Sequence, residues 1–161
     1  MPKRSAFDWV QEALAVVALA AILLIPALHW KEMPVRVPKH FGISGTPDSW
    51  GNKDGIWLLP LTGVGLFVLM SVASRYQKLI NVPITIDRAA PQVQRLLQSM
   101  SITLKMAVLF VFAYIEWEQV NTALGRSSGL GKLFLPVILV VVLFPLVFYL
   151  QRLWATNNKI D

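Results

Sequence analysis

Four stretches of this chain are too apolar and too long to be anything but membrane-spanning helices, and they decide most of what it can fold into. A bilayer core takes about 20 mostly apolar residues per helix. Residues 10–28 (VQEALAVVALAAILLIPAL), 56–73 (IWLLPLTGVGLFVLMSVA), 102–120 and 133–154 (LFLPVILVVVLFPLVFYLQRLW) meet that requirement. Hydrocarbon offers no water to bond backbone N–H and C=O groups, so each segment must satisfy its own as a helix. The expected fold class is an all-α integral membrane protein of four transmembrane helices. A structured outer loop, 29–55, separates the first two, and an amphipathic extension from the basic inner loop, 74–101, leads into the third. With 55 % hydrophobic residues in 161 and a mean hydropathy of +0.56, nothing beyond the loops is left for a soluble domain.

Lys3 and Arg4 ahead of the first apolar run resemble a signal peptide. Asp8, Gln11 and Glu12 interrupt the lead-in, and His29-Trp30-Lys31-Glu32 follows where a small-residue cleavage site would stand. The first span is therefore expected to be a retained helix. Without cysteine there are no disulfides, no thiol catalysis and no thiolate metal site.

Orientation follows from Lys and Arg in the short loops. With the N-terminus inside, the inner side holds Lys3, Arg4, Arg75, Lys78, Arg88, Arg95, Arg152 and Lys159, against Lys31, Arg36, Lys39, Lys53, Arg126 and Lys132 outside. Glu32, Asp48 and Asp54 offset the outer cations, whereas the segment from Arg75 to Arg95 has only Asp87. Both termini are thus expected in the cytoplasm, with the chain in the cytoplasmic (inner) membrane. The net charge of +6 matches topology and anionic head groups. Its spread over several loops, with no recognition motif, argues against nucleic acid.

Small residues allow close helix approach in lipid. Gly63 and Gly65 of the second span and Ala13, Ala15, Ala18, Ala20 and Ala21 of the first predict that these two helices pack together. Pro26, Pro60 and Pro136 fall near span ends, and Pro145 lies inside the fourth span, where it predicts a kink. Trp9, Trp30, Trp57, Trp117, Tyr149 and Trp154 mark the interfaces.

Residues 81–86 (NVPITI) read as extended, because β-branched residues alternate around Pro83. Asp87 or Thr85 can then cap a helix along which Val93, Leu96, Leu97, Met100 and Leu104 recur at helical spacing. That helix either lies in the inner interface or is a long third helix protruding from the membrane; both fit. Three ionisable residues enter the third span. Lys105 can snorkel to the inner interface. Glu116 and Glu118 lie near the outer end; Glu116 is about 16 Å from Lys105 by helical rise, too far to pair, and the two glutamates are about 200° apart on the wheel, so they form no carboxylate pair. A salt bridge from either to Lys39 or Lys53 is the expected arrangement, with a functional role as the alternative.

The polar run VPKHFGISGTPDSWGNK, residues 37–53, is the place where His, Asp, Lys and Trp converge. Thr46-Pro47-Asp48 reads as a turn initiator, and Gly42, Gly45 and Gly51 supply conformational freedom. His40 and Asp48 are two ligands of a metal set that lacks a third and fourth, so no metal or other cofactor is expected. A His40–Asp48 hydrogen bond that organises the loop is. There is no nucleophile elbow, phosphate loop or HExxH, and the chain is expected not to be an enzyme.

The pattern Pro38-x-His40-Phe41, Gly45, Pro47-Asp48, Trp50-Gly51, Lys53 resembles the bacterial membrane family called domain of unknown function 1648, which includes the SdpI-type immunity proteins. The later Asn81-x-Pro83-Ile84-x-Ile86, the Gln94-Arg95 helix and Lys105 are similar to one branch of it. Together they cover residues from about 10 to 120. Gly42 stands where the family carries Asn or Asp. The resemblance implies the membrane fold and an extracytoplasmic loop that serves for recognition.

Two functional readings fit. In one, the chain is a sensor or immunity-type membrane protein. Its loop residues His40, Phe41, Gly45, Pro47, Asp48, Trp50, Gly51 and Lys53 bind a peptide or lipid-like ligand, and the basic segment with Arg75, Lys78, Arg88 and Arg95 transmits or docks a partner. In the other, it is a small structural or accessory subunit of a larger membrane complex.

Overall fold

The computed structural model describes residues 3–158; Lys159, one of the inner cations above, lies outside them. Four long helices carry a small β-hairpin at one end. Helix α1 spans Ala6–His29, strands β1 Arg36–Phe41 and β2 Pro47–Asn52 follow, and a 3-10 turn at Lys53–Trp57 leads into α2, Leu58–Arg75. Helix α3 spans Pro91–Ala123 and α4 spans Phe134–Asn157. All four are long and apolar enough to cross a membrane, so this is a multi-pass membrane protein. The chain is otherwise helical, and the hairpin is its only sheet among the described residues.

Local chemistry sets the ends. At the start of α1, the Ser5 hydroxyl accepts from the Asp8 N–H and the Asp8 carboxylate accepts from the Ser5 N–H, a reciprocal capping box. Helix α3 begins with Pro91 in its first turn, where the missing N–H costs nothing. Just before it, Asp87 accepts from the Ala89 N–H at 2.9 Å. Pro145 is accommodated within a continuous α4.

Helix α3 is the axis: α1, α2 and α4 all pack against it, and α1 and α2 touch each other far less. The expected contact of α1 with α2 is present, but each packs more extensively on α3. The small face of α1, with Ala15 and Ala18, is buried with Ile22 against Leu109 of α3. Gly63 still lets α2 approach Ile22 and Leu19, whereas nothing lies within 4 Å of where a Gly65 side chain would begin. Small residues here bring α1 onto the helix that itself buries the most.

Three apolar clusters follow one another along α3. At the hairpin end, Val120 meets Met33, Val37 and Ile56. The α1 cluster lies in the middle. At the opposite end, where α1 begins and α4 ends, Val93, Leu97 and Met100 pack with Leu153 of α4. The segment 80–86 folds over that end, with Val82, Ile84 and Ile86 turned toward it and Asn81, Pro83 and Thr85 exposed. The apolar stripe of the α3 extension is thus covered by its own chain, and α3 is one continuous helix of 33 residues, about 50 Å long. The extension runs into the third span without a break, as both expected arrangements require.

Helix α4 is different: of its 24 residues only Leu153 is buried, and Val137, Val140 and Phe144 are more than half exposed. In a bilayer those side chains meet lipid, which costs nothing because lipid tails are as apolar as they are.

Candidate functional site

The hairpin pairs β1 with β2 antiparallel, Arg36 opposite Asn52 and Phe41 opposite Pro47, with a bulge around Pro38 and His40. Pro38 is tolerated because a two-stranded sheet is all edge. The turn is Gly42–Thr46, earlier than the Thr46-Pro47-Asp48 expected, and Pro47 already belongs to β2. The Gly42 N–H donates to the Thr46 carbonyl at 2.9 Å and the Gly45 N–H to the Gly42 carbonyl at 2.8 Å. Gly45 has φ +78°, a conformation that a side chain disfavours.

The reason for that turn is a contact across the molecule. The Leu130 N–H, in the loop between α3 and α4, donates to the Gly45 carbonyl at 2.8 Å. A Cβ on Gly45 would collide with the Gly131 backbone, and one on Gly129 would collide with Gly45. The hairpin tip and this loop interlock backbone to backbone. A second tie comes from α3, where the Gln119 side-chain amide donates to the Pro38 carbonyl at 2.6 Å.

His40 Nδ1 and Asp48 Oδ1 lie 2.7 Å apart across the strands, and both side chains remain mostly exposed. Together with Phe41 and Ser44 they form one wall of a cleft of about 630 Å3, whose other wall is Leu130, Phe134 and Leu135. Leu130 and Phe134 also line a second hollow of about 580 Å3 between α3 and α4, bounded by Phe110, Tyr114, Val137 and Val141. The Tyr114 hydroxyl donates to the Leu130 carbonyl at 2.9 Å and its ring stacks on Phe134 at 5.7 Å. A polar cleft and an apolar groove therefore share a wall.

The other hairpin residues have separate duties. Lys53 donates to the Trp30 carbonyl at 3.0 Å and sits 4.5 Å over the Trp30 ring, stapling β2 to the end of α1. The Lys39 side chain lies across Gly51, leaving no space there for a Cβ. Trp50 is partly exposed on the hairpin surface. None of these three lines the cleft. No cluster of three or more His, Asp or Glu suited to a metal occurs among the described residues.

Lys105 is not a snorkelling residue. It is 1 % exposed, with its ammonium 2.6 Å from Glu12 of α1, 2.9 Å from the Ser71 hydroxyl of α2 and 4.7 Å from the Phe67 ring. Arg4 approaches the other Glu12 oxygen at 3.3 Å. Next to this pair, Gln11 donates to Thr103 at 3.0 Å, Thr103 lies 3.1 Å from the Tyr149 hydroxyl of α4, and Ser99 donates to Asp8 at 2.9 Å. Side chains from all four helices meet here. In the sequence Asp8, Gln11 and Glu12 stand out only as interruptions of an apolar lead-in. Their spacing was the available signal: Asp8, Gln11, Ala15, Ala18 and Ile22 form the buried stripe of α1.

The expected bridges from the α3 glutamates to Lys39 or Lys53 are absent. Glu118 accepts from the Ser127 hydroxyl at 2.6 Å. Glu116 is fully buried, and neither of its carboxylate oxygens has a hydrogen-bond partner among the described residues. Of the basic segment, Arg75, Lys78 and Arg95 are exposed, while Arg88 donates to the Gln77 carbonyl at 3.1 Å and closes the loop. The segment reaches α4 through the Asp87 N–H, which donates to the Asn157 side chain at 2.6 Å.

The stretch from mid-α1 through the hairpin into α2 is also the part that comparison with known proteins singles out. Over 154 residues the chain is 26 % identical to an uncharacterized protein of Archaeoglobus fulgidus, covering 85 % of this chain and 82 % of that one. No solved structure matches it. Residues 16–64 match the family model described as "Domain of unknown function (DUF1648)", so over that segment the chain is similar to that family.

Proposed function

We propose that this chain is a non-enzymatic membrane sensor of the immunity type, with the hairpin as its ligand-recognition element. The observation that carries the reading is the cleft between His40, Asp48 and the α3–α4 loop. There the hydrogen-bonding side chains of His40, Ser44 and Asp48, on a tied-down hairpin, face an opening. The hairpin lies on the outer side of the cytoplasmic membrane in this reading, with both termini in the cytoplasm. Occupation of the cleft acts on Leu130 and Phe134, and so on the start of α4. At its far end α4 touches the basic segment through Asn157 and Asp87, which gives Arg75, Lys78 and Arg95 a route by which a cytoplasmic partner is engaged or released.

The SdpI-like character rests on the loop motif, and a peptide or lipid-like molecule is the ligand class it suggests. One observation favours the competing reading of a subunit in a larger complex: α4 is almost uncovered by its own chain. Native mass spectrometry of the tagged protein, drawn from its own membranes in gentle detergent, separates the two. A monomer or small homo-oligomer carrying a bound small mass, lost in Asp48→Ala and His40→Ala, is the expected result. A stoichiometric complex with other chains sinks the sensor.

A further inference from the structure

Among the residues that line the hairpin cleft, Asp48 is the one acid, and there is no lysine or arginine. The nearby cations are engaged elsewhere. Lys39 is laid over Gly51 and Gly55, Lys132 lines the other hollow, and Arg126 is paired with Glu32. A carboxylate only accepts, so the proton between His40 Nδ1 and Asp48 Oδ1 belongs to the imidazole. In the neutral ring that leaves Nε2 as a bare acceptor. The other carboxylate oxygen, Asp48 Oδ2, makes no hydrogen bond among the described residues. A Cβ at Gly42 would stand 3.1 Å from it, so the glycine leaves that oxygen open. The Ser44 and Thr46 hydroxyls are joined to each other at 2.7 Å. Opposite these groups stand the carbon side chains of Leu130, Phe134 and Leu135.

We propose that the cleft takes a cationic group on an apolar body. A primary ammonium or guanidinium donates to Asp48 Oδ2, with His40 Nε2 as a further acceptor, and its hydrocarbon lies against Leu130, Phe134 and Leu135. This names the ligand class of the cleft and rests on the recognition reading for its biological role. Side-chain acceptors facing an opening select a ligand that brings donors, and a charged donor bonds a carboxylate about twice as strongly as neutral groups bond each other. An anion meets the same oxygen with repulsion. The Asp48 side chain is half-exposed, so the charge contributes as a surface pair does, up to about fivefold in affinity. The His40 bond and the interlocked turn hold the carboxylate in place beforehand, which lowers the ordering cost of binding. Two sources carry this chemistry: a basic residue of an amphipathic peptide, and a free lipophilic amine.

The test uses the full chain in phosphatidylcholine nanodiscs, with empty discs as the blank. The probes are three acetylated tetrapeptide amides of leucine that differ at one position: lysine, norleucine or glutamate. Saturation-transfer NMR at neutral pH ranks them. The lysine peptide is expected to bind about fivefold more tightly than the norleucine peptide, and the glutamate peptide least. Asp48→Asn should erase the lysine preference and leave the norleucine peptide unchanged, a split that a purely structural role for Asp48 would not produce. Gly42→Ala crowds Asp48 Oδ2 at a residue without positive φ and should reduce the same preference. Leu135→Ala should weaken all three. A cleft that ranks the peptides alike or prefers glutamate overturns the proposal, and so does a lysine preference that survives Asp48→Asn. Hexylamine assigns the source: binding as tight as that of the lysine peptide points to a free amine, weaker binding to a peptide. If the lysine preference holds while the His40- and Asp48-dependent small mass is absent, the sensor reading fails and the ligand class stands. If that small mass persists with no lysine preference, the ligand class fails alone.

Discussion

Lys105 has a charge to place in the middle of a helix bundle, and it places it on Glu12, 93 residues away in sequence. Breaking a buried ion pair on one side strands the other charge, at about 3–5 kcal/mol, whereas replacing both members with apolar residues is often neutral or better. Glu12→Met strands the buried Lys105 and should therefore lower stability by that amount, and Glu12→Met with Lys105→Met should recover most of it, read as unfolding midpoints in mixed micelles. Equal losses in the single and double variants would deny the pair. Glu116 presents the opposite case, a carboxyl with no partner in the bundle. An unpartnered buried charge is costly, so Glu116→Gln, similar in shape and always neutral, should raise the thermal midpoint. A fall would mean that the carboxyl itself makes a stabilising contact. The sequence shows that Lys105 and Glu116 lie at membrane depth. Which partner each meets depends on residues remote in the chain, and no local spacing encodes that.

Among the elements, the helices were legible because length and hydropathy act locally: about 20 apolar residues leave no other option in hydrocarbon. The hairpin was legible only as a structured polar loop. Its turn falls at Gly42–Thr46 because Gly45 must present its carbonyl to Leu130, and that demand comes from a loop the hairpin's own residues do not mention. Gly45→Ala tests it. With φ at +78° and the Gly131 backbone in the way, the substitution should unlock the tip, and the Leu130 amide should lose most of its protection in hydrogen exchange. The Lys53 staple on Trp30 should leave the base of the hairpin protected in the same experiment. The roles of α1, α2 and α4 were harder to assign from sequence, since the choice of neighbour rests on how all four faces are shared. The alanines of α1 were a true sign of close approach, directed at α3.

At the scale of the whole molecule, the four-helix architecture was readable, and the cleft beside the 37–53 loop was not. One wall of it comes from Leu130, Phe134 and Leu135, residues with nothing in their type to set them apart from membrane-facing neighbours. The topology is open to a direct check, because the chain has no cysteine and any introduced one reports alone. Ser44→Cys in intact cells should react with a membrane-impermeant thiol reagent, and Lys78→Cys should react only after permeabilisation; the reverse pattern would invert the orientation. The interlock of Gly45 with Gly129 and Gly131 also has a consequence in time. The two sides of that contact are separated by 86 residues between positions 45 and 131, roughly 4–17 s of synthesis at 5–20 residues per second. A lone two-stranded hairpin is marginal in water. During that interval the newborn hairpin waits without its dock, and competence to bind arrives late, when the loop before the last helix reaches the same face of the membrane.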